Sequence, residues 1–185
     1  GVRDPQCRAR RSAGRWRAGV HDLQQGLAGG HRLADGRCEV GNDARAVGRA
    51  LARLAEAALR TAVAQADPQV PLAVVAVGRL GGSELSYASD LDLVLVHGGE
   101  GPEDQMEAER ATRALLHFLG GDTPSALVYD IDLDLRPEGR NGPVVRSLDS
   151  YRAHFDRWAH TWERQAMVRA RVVAGDHDLG ERLLA

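Results

Sequence analysis

Two short stretches of the sequence carry residues that can do chemistry together. A Gly-Gly-Ser run, Gly81 to Ser83, is followed seven residues after the serine by Asp90 and Asp92, at the head of an apolar run. Residues two apart on an extended segment point to the same side, so the two carboxylates lie together. Such like charges repel unless a cation lies between them, and Mg²⁺ is usually held by one or two carboxylates plus substrate phosphates. Because a glycine turn also lets backbone N–H groups approach a phosphate, the combination predicts nucleotidyl transfer.

A second predicted strand, over residues 127–135, supplies further carboxylates. Its apolar residues alternate with Asp130, Asp132 and Asp134. If this strand lies beside the strand of the first pair, one of the three completes a three-carboxylate site, of the kind that holds two ions roughly 4 Å apart in phosphoryl transfer. Spacing does not choose among the three, and a solvated edge strand would carry the same residues.

The apolar pattern from residue 43 onward predicts the elements that position these residues. It indicates a helix over 47–63, strands over 72–77, 91–96 and 127–135, a helix over 103–119, a helix from 148 capped by Ser147, a helix from Trp162 to Val172, and a short final helix capped by Asp176. The short, continuously apolar strands are typical of strands that are buried on both faces.

The amino-acid composition is compatible with this chemistry and excludes few other classes of protein. The chain has 185 residues, enough for one domain with a substantial core, and its formal net charge is −2, which predicts no bulk attraction to nucleic acid or to an anionic membrane. No apolar stretch approaches the length of a membrane span, and because no signal-peptide pattern is recognised at the first residues we expect none. Cys7 and Cys38 lack metal-ligand spacing and offer no disulfide framework. We therefore expect a soluble, cytoplasmic protein without nucleic-acid or membrane partners.

The first 40 residues differ from the rest of the chain. They are rich in arginine and glycine and have little periodic apolar content. Because such a composition cannot bury enough apolar surface to order itself, we expect residues 1–40 to be disordered or non-native and residues 41–185 to form the domain. The alternative is a basic arm that binds phosphates or nucleic acid.

Three blocks of sequence resemble one family. They read VGRLGGSELSYASDLDLVLVH, YDIDLDLRPEGRNGPVVRSLDSY and TWERQAMVRARVVAGD, and the similarity runs from about Gly48 to the C-terminus. These blocks are similar to the nucleotidyltransferase domain of glutamine synthetase adenylyltransferase/adenylyl-removing enzymes. The resemblance implies a polymerase-β-type α/β fold, with a small mixed sheet flanked by helices, and ATP with Mg²⁺. It also implies glutamine synthetase as the protein substrate and, for the full-length enzyme, a PII-type signalling protein as a partner.

The resemblance assigns the third carboxylate. It selects Asp132, which with Asp90 and Asp92 is expected to hold the metal and to be catalytic. Asp132 is further expected to accept the proton of the attacking phenol. Asp134 departs from many relatives, which carry a basic or neutral residue there, and this changes the local charge without touching the three carboxylates.

The resemblance also implies a set of nucleotide-binding residues. They are Arg79, Gly81, Gly82, Ser83 and Arg136. Gly82 and Ser83 are expected to contact the triphosphate through backbone N–H and hydroxyl donors, and Arg79 through its charge. For Arg136, contact with the nucleotide and pairing with Glu138 or Asp134 are both open.

Enzymes of this family carry two such domains in tandem, and this sequence matches one, so we expect a fragment. One domain transfers AMP to a tyrosine of glutamine synthetase, and the other removes it by phosphorolysis. Segments 87–92, 162–166 and 168–173 look closer to the transferring domain, which we favour over the removing one. Two more interpretations stay open: a non-catalytic nucleotide-binding regulatory module, and a nucleotidyltransferase that acts on a small molecule or on another protein.

Several residues near these blocks have simpler interpretations. Trp158 and Trp162 are expected to pack in the core or between helices rather than to stack on a base. His97, just after the second strand, is expected to be solvated. Three charged residues are expected to form structural ion pairs: Glu163, Arg169 and Arg171.

Overall fold

A computed structural model of the chain describes residues 44–87, 89–121 and 128–185. The expectations for residues 1–40 and for both cysteines, and the first residue of the strand predicted over 127–135, lie outside the described residues. In chain order the described elements are α1 (Ala44–Ala66), β1 (Leu72–Ala76), α2 (Gly78–Gly81), β2 (Leu91–His97), α3 (Gly101–Gly120), β3 (Ile131–Asp132), β4 (Arg146–Ser147), α4 (Leu148–Arg157), α5 (Thr161–Met167), β5 (Arg171–Gly175) and α6 (His177–Leu184).

The first described helix, α1, forms because its small and aliphatic residues recur at helical spacing. Leu51, Ala55 and Leu59 are at most 3 % exposed, and they face α3 and the sheet. The helix ends at Ala66, where Asp67 takes a left-handed backbone conformation before a proline. Arg110 of α3 caps the end of α1, since its guanidinium donates to the carbonyl oxygen of the last helical residue, Ala66, and to that of Asp67, which follows it.

The sheet is small and mixed, and β1 and β2 form its centre. β1 pairs antiparallel with β2 on one side and with β5 on the other. β3 and β4 both pair parallel with the remaining edge of β2, β3 at its beginning and β4 at its end. The strand order is therefore β3-β2-β1-β5, with β4 beside β2 as well.

Helices cover both faces of this sheet. Leu72, Val74 and Ala76 of β1 pack in a cluster with α1 and α3, whereas Ala73 and Val75 pack in a second cluster with α4 and α6. This alternation makes β1 continuously buried, as its uninterrupted apolar run predicts. Along β2 the even-numbered apolar residues belong to the second cluster, so the α4 and α6 side is also the side of Asp92.

The predicted α/β fold, a small mixed sheet flanked by helices, is confirmed, as are both predicted caps. Ser147 Oγ accepts the N–H of Ser150 at the start of α4, and Asp176 Oδ1 accepts the N–H of Leu179 at the start of α6. Among the described residues, no helix has the length and apolar content that a transmembrane helix requires.

The strand predicted over 127–135 is much shorter in the structure. Only Ile131 and Asp132 are paired in it. The chain turns directly afterwards, because Asp132 Oδ1 accepts the N–H of Asp134 at 2.6 Å and the carbonyl of Leu133 accepts the N–H of Arg136. An aspartate side chain that bonds its own backbone thus competes with the sheet and ends the strand.

The helix predicted from Trp162 to Val172 is wrong in its second half. Helix α5 ends at Met167, and the strand β5 begins at Arg171. Val172 is opposite Val75 of β1, and a bulge between Val74 and Val75 adjusts the register. The β-branched valines at 172 and 173 suit a pleated surface, and pairing with the buried β1 outweighs the local helical pattern.

Gly81 allows a close approach between α2 and the segment before β5. A Cβ at this position would overlap the carbonyl oxygen of Arg169 and lie 2.8 Å from that of Ala76, and both are backbone atoms that cannot rotate away. We therefore expect Gly81→Ala to lower the free energy of unfolding by about 1–3 kcal/mol, as measured by urea denaturation.

The control for this substitution is Gly120→Ala. A Cβ at Gly120, the last residue of α3, meets no atom within 4 Å. Its free energy of unfolding is expected to stay within about 0.5 kcal/mol of the parent chain. Equal effects of the two substitutions would contradict the close-approach explanation.

Candidate active site

Three of the predicted site residues, all aspartates, are brought together at one edge of the sheet. Asp92 of β2 is directly opposite Asp132 of β3 in the parallel register. Asp90 immediately precedes β2, two residues from Asp92, and the next N–H along the chain, that of Leu91, donates to the carbonyl of Asp130. Asp90 is exposed, whereas Asp92 and Asp132 are half-buried. The beginning of β2 and the short β3 therefore present a carboxylate-rich edge to solvent.

The carboxylate of Asp92 lies against the start of α2. A Cβ on Gly78 would overlap Asp92 Oδ2, and Gly78 has a φ of +55°, where a side chain would be strained. The N–H of Arg79 donates to this carboxylate, and the N–H of Val77 donates to the main-chain carbonyl of Asp92. A glycine at position 78 is thus what allows Asp92 and the turn after β1 to touch.

The pKa of Asp92 is affected by both neighbouring carboxylates, which shows that the three aspartates lie close together. Burial raises the pKa of Asp92 above its ordinary value, and the negative charges of Asp90 and Asp132 raise it further. The N–H and the guanidinium of Arg79 act in the opposite direction and do not cancel the increase. Three carboxylates in this arrangement destabilise one another and would be relieved by a cation.

The donor set fits a hard divalent cation, although the site is not pre-assembled around one. Carboxylate oxygens are the ligands that Mg²⁺ prefers. Across residues 44–87, 89–121 and 128–185, no three histidine, cysteine or acidic side chains are already arranged to hold a metal ion. The strand register places the carboxylates close together, and their charges act on one another. Metal binding at Asp90, Asp92 and Asp132 stays a prediction.

The Gly-Gly-Ser run forms the end of α2 and the turn that follows it. The N–H of Gly81 donates to the carbonyl of Val77, the N–H of Gly82 to that of Gly78, and the N–H of Ser83 to that of Leu80. These backbone donors are therefore engaged within the turn in this structure. Their contact with a triphosphate remains a prediction. The Ser83 hydroxyl is a side-chain donor that these backbone hydrogen bonds do not use.

Two arginines that the sequence did not associate with this loop lie beside it. Arg171 Nη2 donates to Ser83 Oγ at 3.2 Å, and Arg169 Nη1 forms an ion pair with Glu84 at 2.7 Å. The guanidinium of Arg169 also lies next to Gly82, with Nη1 3.1 Å from the place of a Cβ on that glycine. Arg171 begins β5 and Arg169 lies in the turn before it, and no local sequence pattern links either arginine to this loop.

The two other predicted nucleotide contacts are arginines, and they differ in accessibility. Arg79 is exposed and donates to the hydroxyl of Ser86 at 2.8 Å. Arg136 is 7 % exposed and donates to the carbonyls of Leu133, Gly142 and Pro143, which closes the loop between β3 and β4. Arg136 also lies 3.8 Å from Asp134, the pairing that the sequence leaves open.

A groove beside β3 is bordered by Arg136 and by the alternating aspartates Asp130, Asp132 and Asp134. Its lining residues are Asp90, Asp130, Ile131, Asp132, Leu133, Asp134, Arg136, Arg140 and Val144. Within it Arg140 pairs with Asp134 at 2.6 Å and Arg136 lies 3.8 Å from Asp134, so both basic residues of the groove form their ion pairs with Asp134. Contact between Arg136 and a nucleotide thus stays a prediction, and in this structure its donors hold the loop.

The expectations for the aromatic residues and for His97 are wrong. Trp158 is 71 % exposed and Trp162 is 44 % exposed, because α4 ends at Arg157 and α5 turns Glu163 inward instead. His97 is 1 % exposed at the end of β2, where its Nε2 is 2.8 Å from Gln105 Oε1.

The expected ion pairs are found for Arg169 and Arg171, although neither arginine lies on a helix, whereas the partner of Glu163 is a histidine, His154. Glu163 Oε1 is 2.9 Å from His154 Nε2, and Oε2 accepts the N–H of His160. Burial acts to raise the pKa of Glu163, but the hydrogen bonds from His160, His154 and Glu138 outweigh it, so the pKa is lowered. The other two pairs are Arg169 with Glu84 and Arg171 with Glu56.

A family model for glutamate-ammonia ligase adenylyltransferase matches residues 40–185, which include the three aspartates and the Gly-Gly-Ser loop. The chain belongs to this family. The resemblance found in the three sequence blocks is thereby confirmed for the glutamate-ammonia ligase adenylyltransferase family.

Similar proteins carry the name bifunctional glutamine synthetase adenylyltransferase/adenylyl-removing enzyme. The protein from Streptomyces avermitilis is 39 % identical over 192 residues, covering 90 % of this chain and 19 % of the relative. That from Streptomyces coelicolor is 40 % identical over 197 residues, with coverage of 90 % and 20 %. That from Mycobacterium leprae is 49 % identical over 121 residues, with coverage of 61 % and 12 %. The chain spans about a fifth of the length of the Streptomyces relatives that it matches.

The raised pKa of Asp92 has a consequence for stability. A carboxyl whose pKa is higher in the folded than in the unfolded state stabilises the fold while protonated, and this contribution is lost as the pH rises through the folded pKa. Once ionised, Asp92 therefore costs stability. We expect Asp92→Asn to raise the free energy of unfolding at pH 7, measured in EDTA by urea denaturation, because the amide oxygen still accepts the N–H of Arg79.

The gain from Asp92→Asn should shrink as the pH falls below the folded pKa, since Asp92 is then neutral in the parent chain as well. Asp178→Asn, at an exposed position in the first turn of α6, is the matched control and should show no gain at pH 7, because a negative charge is favourable at the start of a helix. A stability difference for Asp92→Asn that is independent of pH would contradict the electrostatic explanation.

Proposed function

We propose that this chain is the AMP-transferring nucleotidyltransferase domain of a glutamine synthetase adenylyltransferase. In the reaction a tyrosine oxygen of glutamine synthetase attacks the α-phosphorus of ATP, a new O–P bond forms, and pyrophosphate leaves. The observation that carries the proposal is the register of β2 and β3, which puts Asp132 directly opposite Asp92 in a chain of this family. The names of the relatives support glutamine synthetase as the protein substrate.

The three aspartates would serve two purposes. Asp90, Asp92 and Asp132 would hold Mg²⁺. The bound cation would neutralise negative charge on the triphosphate and on the leaving pyrophosphate. Asp132 would also accept the proton of the tyrosine hydroxyl. Its carboxylate is suited to a fixed role because Oδ1 accepts the N–H of Asp134, which sets the direction of the second oxygen.

The turn after β1 would bind the nucleotide. Ser83 would donate its hydroxyl proton to a phosphate oxygen, and the exposed guanidinium of Arg79 would approach the triphosphate as a cation. Gly81 and Gly82 would keep the turn compact, since a Cβ at Gly81 would collide with backbone. The contact between Asp92 and Gly78 would then couple the metal-binding and nucleotide-binding residues through a single short turn.

The adenylyl-removing activity is the second candidate, because the relatives' name includes it. It would use the same carboxylates with inorganic phosphate as the attacking group. A regulatory module that only binds nucleotide is less well supported, since three converging carboxylates would repel a triphosphate unless a cation accompanied it. A PII-type signalling protein as partner of the full-length enzyme is proposed from the family resemblance alone.

Transfer of AMP is tested by the intact mass of glutamine synthetase after incubation with this chain, ATP and Mg²⁺. We expect a gain of one AMP, located on a tyrosine by fragmentation. Asp92→Asn and Asp132→Asn should each slow the transfer by about a hundredfold or more, because each removes a carboxylate that acts on the reacting atoms.

The matched control is Asp134→Asn, since Asp134 lies on the same segment but pairs with Arg140. It should keep the rate within about threefold of the parent chain. Loss of AMP from pre-modified glutamine synthetase in the presence of phosphate would favour the removing domain instead. No change of mass in either direction would count against both activities for this chain.

Cation dependence of nucleotide binding is tested by titration calorimetry. The parent chain should bind ATP about tenfold more tightly, or about 1.4 kcal/mol more favourably, in Mg²⁺ than in EDTA. The expected reason is that the cation relieves repulsion between the carboxylates and the triphosphate. Asp92→Asn should lose most of this Mg²⁺ effect while Asp134→Asn keeps it, and an equal Mg²⁺ effect in both variants would argue against a metal at Asp92.

A further inference from the structure

We infer that Arg171 is a positioning residue for the Gly-Gly-Ser loop: its guanidinium holds the loop and directs the Ser83 hydroxyl toward a phosphate of the substrate. The inference rests on the proposed function, since it names a residue that acts through Ser83. It concerns a side chain outside the carboxylate cluster, 88 residues away from Ser83 in sequence.

Most of the contacts of the Arg171 guanidinium are with the loop. Nη2 donates to Ser83 Oγ at 3.2 Å and to the carbonyl of Leu80 at 3.1 Å, and Nε donates to the carbonyl of Gly81 at 3.3 Å. The two carbonyls belong to the last two residues of α2, where the regular helical hydrogen bonds stop. An arginine that served only to join β5 to α1 would not need any of these three contacts.

The contact with Ser83 determines what its hydroxyl can do. A guanidinium has donors and no acceptor, whereas a hydroxyl has one proton to donate and two lone pairs. Ser83 Oγ must therefore accept from Arg171, and its own proton is directed to a different acceptor. A phosphate oxygen is such an acceptor, and the adjacent guanidinium charge favours an anion there.

The backbone of Ser83 gives a second reason to expect a holding contact. Its φ is +56°, in the left-handed region, which is unfavourable for a serine and persists only where surrounding contacts enforce it. The N–H of Ser83 donates to the carbonyl of Leu80, the same oxygen that accepts from Arg171. The arginine thus contacts both ends of the turn that contains the strained residue.

Glu56 of α1 fixes the guanidinium from the other side. Its Oε1 is 2.7 Å from Arg171 Nη2, and its side chain is only 15 % exposed. Arg171 itself is the first residue of β5, with Ala76 of β1 as its register partner. Strand pairing and the ion pair therefore hold the arginine beside the turn that follows β1 before any nucleotide arrives.

The test of this role measures dissociation constants for ATP and for AMP, in Mg²⁺, for the 185-residue chain and its variants. We expect Arg171→Met to weaken ATP about tenfold, the factor for one charge-assisted hydrogen bond, and to leave AMP unchanged, because AMP lacks the two outer phosphates. Ser83→Ala should act alike, the double variant should add nothing further, and Arg171→Lys should recover part of the loss.

The matched control is Arg60→Met. Arg60 lies 3.6 Å from the same Glu56 and donates to the carbonyl of Val173 in β5, so it joins the same two elements as Arg171 from a position away from the loop. It should leave ATP affinity unchanged. Equal weakening of ATP and AMP by Arg171→Met, or the same loss in Arg60→Met, would overturn the inference, because either result indicates a general effect on the fold.

Hydrogen exchange without nucleotide separates this inference from the proposed function. Arg171→Met should speed exchange of the Ser83 and Glu84 amides, whose N–H groups donate to the carbonyls of Leu80 and Arg79, while the Asp67 amide at the end of α1 keeps its rate. Unchanged loop exchange would overturn the positioning role whatever the nucleotide data show. If the loop loosens as expected but the parent chain binds no ATP, the proposed function fails and the holding role of Arg171 stands.

Discussion

The contact between the Asp92 carboxylate and the first residues of α2 is the constraint on which the candidate site depends. Gly78 leaves the space for the carboxylate, and the N–H groups of Val77 and Arg79 bond to the carbonyl and the side chain of Asp92. The strand that carries two of the aspartates is thereby joined to the turn that carries the Gly-Gly-Ser run. Residues with different chemical tasks are thus held on one short, hydrogen-bonded unit between two buried strands instead of on separate loops.

This arrangement concentrates negative charge where the fold cannot neutralise it by itself. Of the nearby cations, Arg79 offsets the charge of Asp92 only in part, Arg140 pairs with Asp134, and Arg136 holds the β3–β4 loop. Burial raises the pKa of Asp92 most, and the negative charges of Asp90 and Asp132 raise it further. A site that costs stability in the free protein and would gain from a bound cation and phosphates is what a nucleotidyltransferase needs.

The sequence predicts the features that depend on neighbours along the chain. The side shared by Asp90 and Asp92, the buried strands β1 and β2, and helix α1 all follow from local periodicity. The choice of Asp132 did not follow from spacing, because it depends on which residue of β3 falls opposite Asp92. The strand β5 was missed for a related reason, since its pairing partner β1 is about 100 residues earlier in the chain, a separation at which local patterns carry no information.

The position of β5 also bears on where this unit can be divided. The residues that resemble a catalytic motif lie between Val77 and Arg136, yet β1 is an inner strand only because β5 covers its second edge, and Arg171 on β5 reaches back to Ser83. Cutting the chain after the first two motif blocks would remove β5, expose the edge of β1 and release the loop. Chimaeras that transplant this domain would therefore need a junction beyond Gly175, even though the carboxylates and the Gly-Gly-Ser run all lie well before β5 begins.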